Sequence, residues 1–230
     1  MKRTMLTLLC LLLAGCGGQI AKVNADKTQS SKWKVTNRGL TGGAAITGEF
    51  ELTTQGKKFY MHKKLLSADL GIWTIHESDV VYDGEKLREF NITSAPKDSP
   101  NDVYKEQGFI EFTPDPDFLK NNLFWKIPKS LPTSEDGTEE IEGVTCNRLI
   151  SRQQSALGGQ VTFRFWIDPN RNILLQRADA VGEDSGGSKE AVLGSEFTCV
   201  EVNLSPSVDE SKFTTVPEGQ AEKVMAYKWF

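Results

Sequence analysis

The sequence is short of the residues that most chemistry needs. It has two histidines, His62 and His76, in 230 residues. A catalytic zinc site normally uses three protein ligands, so two histidines alone do not furnish one. A Gly-x-Ser-x-Gly elbow, a His-Glu-x-x-His pair and a P-loop are all missing. Gly42-Gly43 and Gly158-Gly159 read as turns rather than phosphate cradles. These absences point away from an enzyme and give no sign of a cofactor or a bound metal. A basic surplus is missing too, with 27 Lys and Arg against 31 Asp and Glu. Phosphate contacts need clustered cations, so no nucleic-acid partner is expected. Long apolar runs are also scarce. Met5 to Leu13 is too short to span a bilayer, and nothing after it approaches that length.

What that short run does have is the dress of a targeting segment. Lys2 and Arg3 precede it, and Leu13-Ala14-Gly15-Cys16 follows it. The Leu-Ala-Gly-Cys order resembles the lipobox of bacterial lipoproteins. The resemblance implies removal of residues 1–15 and acylation of Cys16 as the new N-terminus, so that acyl chains such as palmitate hold a soluble domain at a membrane. Gly17 stands where an Asp tends to retain such proteins at the inner membrane. The expected address is therefore the outer membrane, facing the periplasm. Loss of Lys2 and Arg3 leaves 25 basic against 31 acidic residues, a net charge of −6.

Cysteine is nearly as scarce as histidine. Of four, Cys10 departs with the leader and Cys16 takes the lipid. Cys146 and Cys199 remain, in an oxidising compartment. Two readings stand side by side: a disulfide, or two small buried apolar groups. Two intervening strands at about 4.8 Å each separate them by roughly 14 Å, beyond bonding reach unless the sheet curls.

Alternation of apolar and polar residues is abundant. Residues 16–31 are small, polar and aperiodic, and read as a tether. Strands are expected over Lys32–Asn37, Ile46–Thr54, Lys58–Leu66, Ile72–Tyr82 and Lys86–Ile92, joined by short turns such as Gln55-Gly56 and Asp83-Gly84. With Thr53 opposite Lys58, Leu52 meets Phe59 and Phe50 meets Met61. A turn centred on Asp69 sets His62 opposite His76 on one face. The plainest hairpin is Val161 to Ile167, turning through Asp168-Pro169-Asn170-Arg171-Asn172 into Ile173 to Val181. Gly143–Ser151 and Glu190–Leu204 flank it.

The grammar breaks between residues 94 and 142. There Asp115 is a good N-cap, Pro116 fits the first helical position and Asp117 suits the first turn. Phe118, Leu119, Leu123 and Phe124 would form an apolar stripe on two to three helical turns. Asn101–Gln107 reads as a further turn of helix, Ser134–Glu140 as an acidic surface loop without calcium-loop spacing, and Val208–Phe213 as one short turn. Residues 220–230 fit either an edge strand or an ordered tail.

Three phrases carry a resemblance: Trp166-Ile167-Asp168-Pro169 before a Leu-rich strand; Asn203-Leu204, Val208-Asp209, Phe213 and Val216-Pro217-Glu218-Gly219; and Val81-Tyr82-Asp83-Gly84. Together they resemble the LolA/LolB/LppX-type superfamily of envelope lipoprotein carriers, over about residues 33–219. The resemblance implies an incomplete β-barrel closed by helices, with a hydrophobic cavity for acyl chains, and a carrier or acceptor of lipids or lipoproteins. The superfamily also includes a regulatory sensor module. This chain lacks the helix that usually precedes the first strand, and the arginine the carrier uses has no counterpart here.

The expected fold is therefore mainly β (α+β): one curved antiparallel sheet of nine to eleven strands, an incomplete barrel with a short helical lid. Phe50, Leu52, Phe59, Met61, Trp73, Ile75, Phe163, Phe165 and Ile167 are expected to face its hollow. Patterning alone leaves a lined cavity and a filled core equally open. The first makes an acyl chain, a lipid or a lipoprotein the ligand. The second makes the domain a sensor or interaction module with an envelope protein partner.

Overall fold

The computed structural model describes residues 28–37, 45–69, 72–154, 160–181 and 192–229. Among these, thirteen strands lie in one curved, unclosed sheet. They are β1 (Gln29–Asn37), β2 (Ala45–Gln55), β3 (Lys58–Asp69), β4 (Ile72–Tyr82), β5 (Leu87–Pro96), β6 (Tyr104–Lys105) and β7 (Phe109–Phe112). After a short α-helix, α1 (Pro116–Asn121), come β8 (Ser134–Ile141), β9 (Val144–Gln154), β10 (Gln160–Asp168), β11 (Ile173–Val181), β12 (Val192–Asn203) and β13 (Ala221–Lys223). A 3₁₀ turn, Glu210–Thr214, precedes β13. The spatial order is β13-β7-β5-β4-β3-β2-β1-β12-β11-β10-β9-β8, with β6 on β5. Among these strands every pairing is antiparallel except β13 on β7.

The sheet is two meanders meeting at β1, which pairs with β2 on one side and β12 on the other. Each meander grows by local hairpins, which is why period-two patterning announces its strands. The β1–β12 pair is the long-range seam. Strand β1 also begins earlier than its patterning indicates, taking Gln29 to Ser31 from the expected tether.

Register departs from expectation in the first hairpin. The connection is only Gly56-Lys57, so Gln55 faces Lys58, Leu52 faces Met61 and Phe50 faces Lys63. The four apolar residues still share a face, because a shift of two keeps the parity. In the next hairpin Asp69 pairs with Ile72, not at the turn's centre. His62 therefore lies opposite Asp79 and His76 opposite Leu65, and the two histidines do not face each other.

The middle of the chain differs more. Residues Ser134–Ile141 are not a loop but an edge strand, β8, with a register shift between Glu135 and Thr138. Arg148 of β9 bridges Asp136 and Glu139, and the remaining carboxylates discourage another strand from adding to that edge. Asn101–Gln107 holds no helix; Tyr104-Lys105 pairs with β5 instead. Helix α1 begins as expected, its Asp115 side chain accepting from Asp117 and Phe118 backbone amides at 2.8 and 2.7 Å. It ends at Asn121, short of the expected two to three turns, so Leu123 and Phe124 lie beyond it.

Cys146 and Cys199 are both buried and unbonded, on strands β9 and β12, which β10 and β11 separate in the sheet. Residues 1–15, expected to be a leader, lie outside the described residues, as do Cys16, Gly42-Gly43, Gly158-Gly159 and Phe230. Among the described residues no helix is long and apolar enough to cross a membrane.

Candidate functional site

The registers assemble one inner face across the first meander. Trp33 pairs with Phe50, Leu52 with Met61, Met61 with Val80, Phe59 with Tyr82, and Leu87 with Phe112. On the far side of β1, Phe197 and Cys199 extend the same face. All these side chains are buried. A dry face of this area needs a cover, and two segments supply it.

The first cover is the run after α1. Phe124 lies 4.8 Å from the Phe50 ring, 5.0 Å from Phe197 and 5.7 Å from Trp33. Trp125 lies 5.1 Å from Phe59. Phe118 and Leu119 are only half-buried, so the short helix contributes less than the loop that follows it. The second cover is the C-terminal tail, which sequence alone left unplaced. Tyr227 and Trp229 are buried, with their rings 5.0 Å apart. Trp229 reaches Trp125 at 5.6 Å and Phe59 at 6.0 Å. Edge-to-face contacts dominate, the geometry that aromatic quadrupoles favour.

Charges are buried beneath the tail. Lys63 and Glu89 form an ion pair at 2.7 Å, each side chain 9% exposed. Glu89 also accepts hydrogen bonds from the Ser78 hydroxyl at 2.7 Å and the Tyr227 hydroxyl at 2.8 Å. Lys63 donates to the backbone carbonyl of Trp229 at 3.2 Å. The Trp229 indole donates to the carbonyl of Asn122 at 2.8 Å. Burial, and then the Glu89 charge, push the Tyr227 phenol well above its ordinary value. By contrast the indole N–H of Trp125 is buried with no hydrogen-bond partner among the described residues. An orphaned donor of this kind costs about 1–3 kcal/mol.

The nine residues expected to line a hollow divide into groups. Phe50, Leu52, Phe59 and Met61 belong to the inner core. Phe165 is fully buried but outside that cluster, and with Phe163 it faces the Arg177 guanidinium at 5.8 and 5.9 Å. Ile167 is half-buried, while Trp166, on the opposite parity of β10, joins the core in a role not expected of it; the bulge opposite it adds Leu175 to β11 and leaves the alternation of β10 unbroken. Its indole donates to Glu139 of β8 at 2.9 Å. Trp73 is 38% exposed, with the Lys97 ammonium 5.3 Å from its ring, and Ile75 is half-buried on the same outward parity. Both lie on the parity opposite to Val80 and Tyr82, so neither faces the hollow as expected.

On the outer face His62, Tyr60 and Asn91 all point at Asp79, at 3.0, 2.7 and 2.7 Å. Burial alone would raise the Asp79 carboxyl, but these three hydrogen bonds outweigh it and hold it below the usual range. A carboxylate so fully engaged is a structural acceptor. Among the described residues no group of three or more His, Cys, Asp or Glu is placed to hold a metal ion. Two surface depressions, of about 120 and 240 Å³, are lined mainly by residues of β1, β2 and β12, and none of the four cover aromatics lines either.

No family model and no curated protein matches the chain. Solved structures are similar at a distance. An uncharacterized conserved protein from Thermus thermophilus matches with a TM-score of 0.49 and 10% identity, over 86% of this chain and 91% of that one. MucB matches with a TM-score of 0.41 and 16% identity, over 87% of this chain, which spans only 62% of MucB. A putative outer membrane lipoprotein-sorting protein domain from Vibrio parahaemolyticus matches with a TM-score of 0.23 and 9% identity, over 81% of this chain and 89% of that one. That domain is of the kind the sequence phrases resemble. Likeness this remote carries no argument about what the chain binds, which rests on its own geometry.

Proposed function

We propose that the chain is a non-catalytic interaction module of the cell envelope, tethered by a lipid on Cys16 and facing the periplasm at the outer membrane. Residues 1–15 are its leader. The stretch 17–28 lets the domain stand off the bilayer by at most about 40 Å. The observation that supports an interaction role over a carrier role is the filling of the inner face. Its apolar surface is met by Phe124, Trp125, Tyr227 and Trp229 of the same chain, at ring separations near 5–6 Å.

A second reading keeps the inner face as an acyl-chain or lipoprotein site, with residues 114–125 as its lid and Phe118, Leu119, Leu123 and Phe124 as the lid's apolar side chains. What favours it is the nature of the cover: one six-residue helix and a loop, held by side chains rather than by strand pairing. An isolated helix so short has little stability of its own. Each methylene buried in place of the cover would return about 0.8 kcal/mol.

Native mass spectrometry of the envelope-extracted protein, after in-cell crosslinking of a parallel sample, separates the two. The interaction reading expects a mass equal to the polypeptide and its anchor alone, and a discrete crosslinked protein partner. A stoichiometric free lipid in the spectrum would sink it and install the carrier reading.

A further inference from the structure

The C-terminal segment is held as a bound peptide is held. It leaves the 3₁₀ turn, adds β13 in parallel to the exposed side of β7, and then inserts two aromatic side chains into the inner face. Strand addition to a sheet edge, followed by side-chain pockets, is one of the recurring modes of peptide recognition. Its entry is shaped for close approach. Gly108 and Gly219 lie against each other at φ +90° and +101°, and a Cβ on Gly108 would stand 2.3 Å from the Gln220 carbonyl oxygen. Phe109 donates its amide to that same carbonyl at 3.1 Å.

Two features beneath the segment are not what a simple core needs. Lys63 and Glu89 are both buried, and a buried ion pair is often no more stable than well-packed apolar residues of similar size. Here the pair presents two specific demands, an acceptor for Lys63 and a donor for Glu89. The tail meets them with the Trp229 carbonyl and the Tyr227 hydroxyl. Beside them the Trp125 indole N–H, in a side chain about nine-tenths buried, has no acceptor among the described residues. The tail is thus an incomplete match to the site it occupies.

We propose that the inner face is a recognition site for an extended, aromatic-bearing peptide of a partner protein, and that segment 219–229 fills it as an internal stand-in. The inference rests on the interaction-module reading and names the surface through which it works. A partner peptide presents backbone carbonyls to Lys63 and Trp125, a hydroxyl or amide N–H to Glu89, and a strand to β7. An acyl chain supplies no donor to Glu89 and no strand. A tethered tail competes at an effective concentration of order millimolar, so a partner binds strongly only when the tail is loosened or its own match is better.

Gly219→Ala is the useful variant, because it strains the tail and leaves the receiving face intact. A fluorescently labelled synthetic peptide of residues 218–230 is titrated into the intact chain and into G219A. Binding to G219A at least tenfold tighter than to the intact chain is the expected result. Adding Gly108→Ala to G219A should remove that gain, because the β7 entry then closes to any strand. Equal binding to both chains overturns the proposal, as does release of the peptide by oleate, which would make an acyl chain the preferred occupant. A concentration-dependent dimer of G219A that excludes the peptide also overturns it, by making a second copy the occupant.

Hydrogen exchange on the unmodified chain gives a reading that needs no variant. Amides of 221–224 should exchange at least a hundredfold faster than those of β2 and β3, through local release of the tail. Exchange as slow as the central strands would show the tail to be ordinary core, and would end the proposal. The module reading would survive that result, since a crosslinked partner could then dock elsewhere.

Discussion

The β3–β4 hairpin is covered on both faces, and the two covers are built differently. On the outer face the 3₁₀ turn packs across β3 and β4, burying Phe213 to 1% exposure and laying the Lys212 ammonium 5.3 Å from the Tyr60 ring. That cover asks little beyond area. The inner cover carries four buried aromatic side chains around a buried ion pair, a phenol, a backbone carbonyl and an unsatisfied indole. Area scarcely cares what fills it, whereas hydrogen-bonding groups out of water require particular partners. The inner face is therefore the selective one, though both faces are dry at their centre.

Truncating one phenylalanine on each side tests the contrast most strongly. Phe124→Ala, which strips contacts to Phe50, Phe197 and Trp33, should cost about 4 kcal/mol, and Phe213→Ala about 3 kcal/mol, in the range for buried aromatics. Urea unfolding at unchanged slope would measure both. A larger loss at Phe213 would invert the ranking.

The ion pair gives the next effect. Lys63→Met leaves Glu89 charged and buried, and should cost about 3 kcal/mol. Lys63→Met combined with Glu89→Gln removes both charges; the Gln carbonyl accepts from one of the Ser78 and Tyr227 hydroxyls and its NH2 donates to the other, so the pair should recover at least half of the loss. A double variant as unstable as the single one would mean that packing, not charge, matters at this site.

Titration separates the faces by sign. The Tyr227 phenol is raised in the folded state, so its contribution is intact below the unfolded value of about 10 and is lost as pH climbs past it. The tail amides should lose exchange protection above pH 10, and Tyr227→Phe should blunt that step. Asp79 on the outer face is lowered, so its contribution is present above about pH 4 and fades as pH falls. The stability deficit of Asp79→Asn, measured by urea at successive pH values, should shrink toward pH 2. A deficit independent of pH would refute the hydrogen-bonded carboxylate.

The smallest effect belongs to the cap of α1. Asp115→Ala removes the carboxylate oxygen that accepts from two backbone amides at the start of a half-buried helix and should cost about 1 kcal/mol. A much larger cost would give the helix a bigger share in the inner cover than the loop beyond it.

Much of this was legible in the residues. Alternation located the hairpins, because antiparallel strands with one dry face must alternate. Asp115-Pro116 announced the helix start through local capping chemistry, which needs no tertiary context. The helix end was not legible, since Leu123 and Phe124 keep a helical spacing while packing from a loop. The acidic strand β8 read as a loop because its partner's Arg148, not its own composition, steadies it. The tail gave no decisive signal: Val224-Met225-Ala226-Tyr227-Lys228-Trp229-Phe230 is apolar but without a clear period, and fits an edge strand or an ordered tail alike. Only Ala221–Lys223 pairs as an edge strand, and Tyr227 and Trp229 reach the inner face from beyond it.

By itself the sequence determined the grammar of the molecule: strands, short turns, a capped helix and a mildly acidic balance of charge. Each of these follows from neighbours along the chain, where spacing alone sets which side chains share a face. Only the tertiary structure decided which segments fill the hollow of the sheet. Glu89 and Tyr227 meet across 138 positions of chain, and Lys63 and Trp229 across 166. No local pattern encodes a contact of that separation; it exists because the sheet curls and a dry face must be covered.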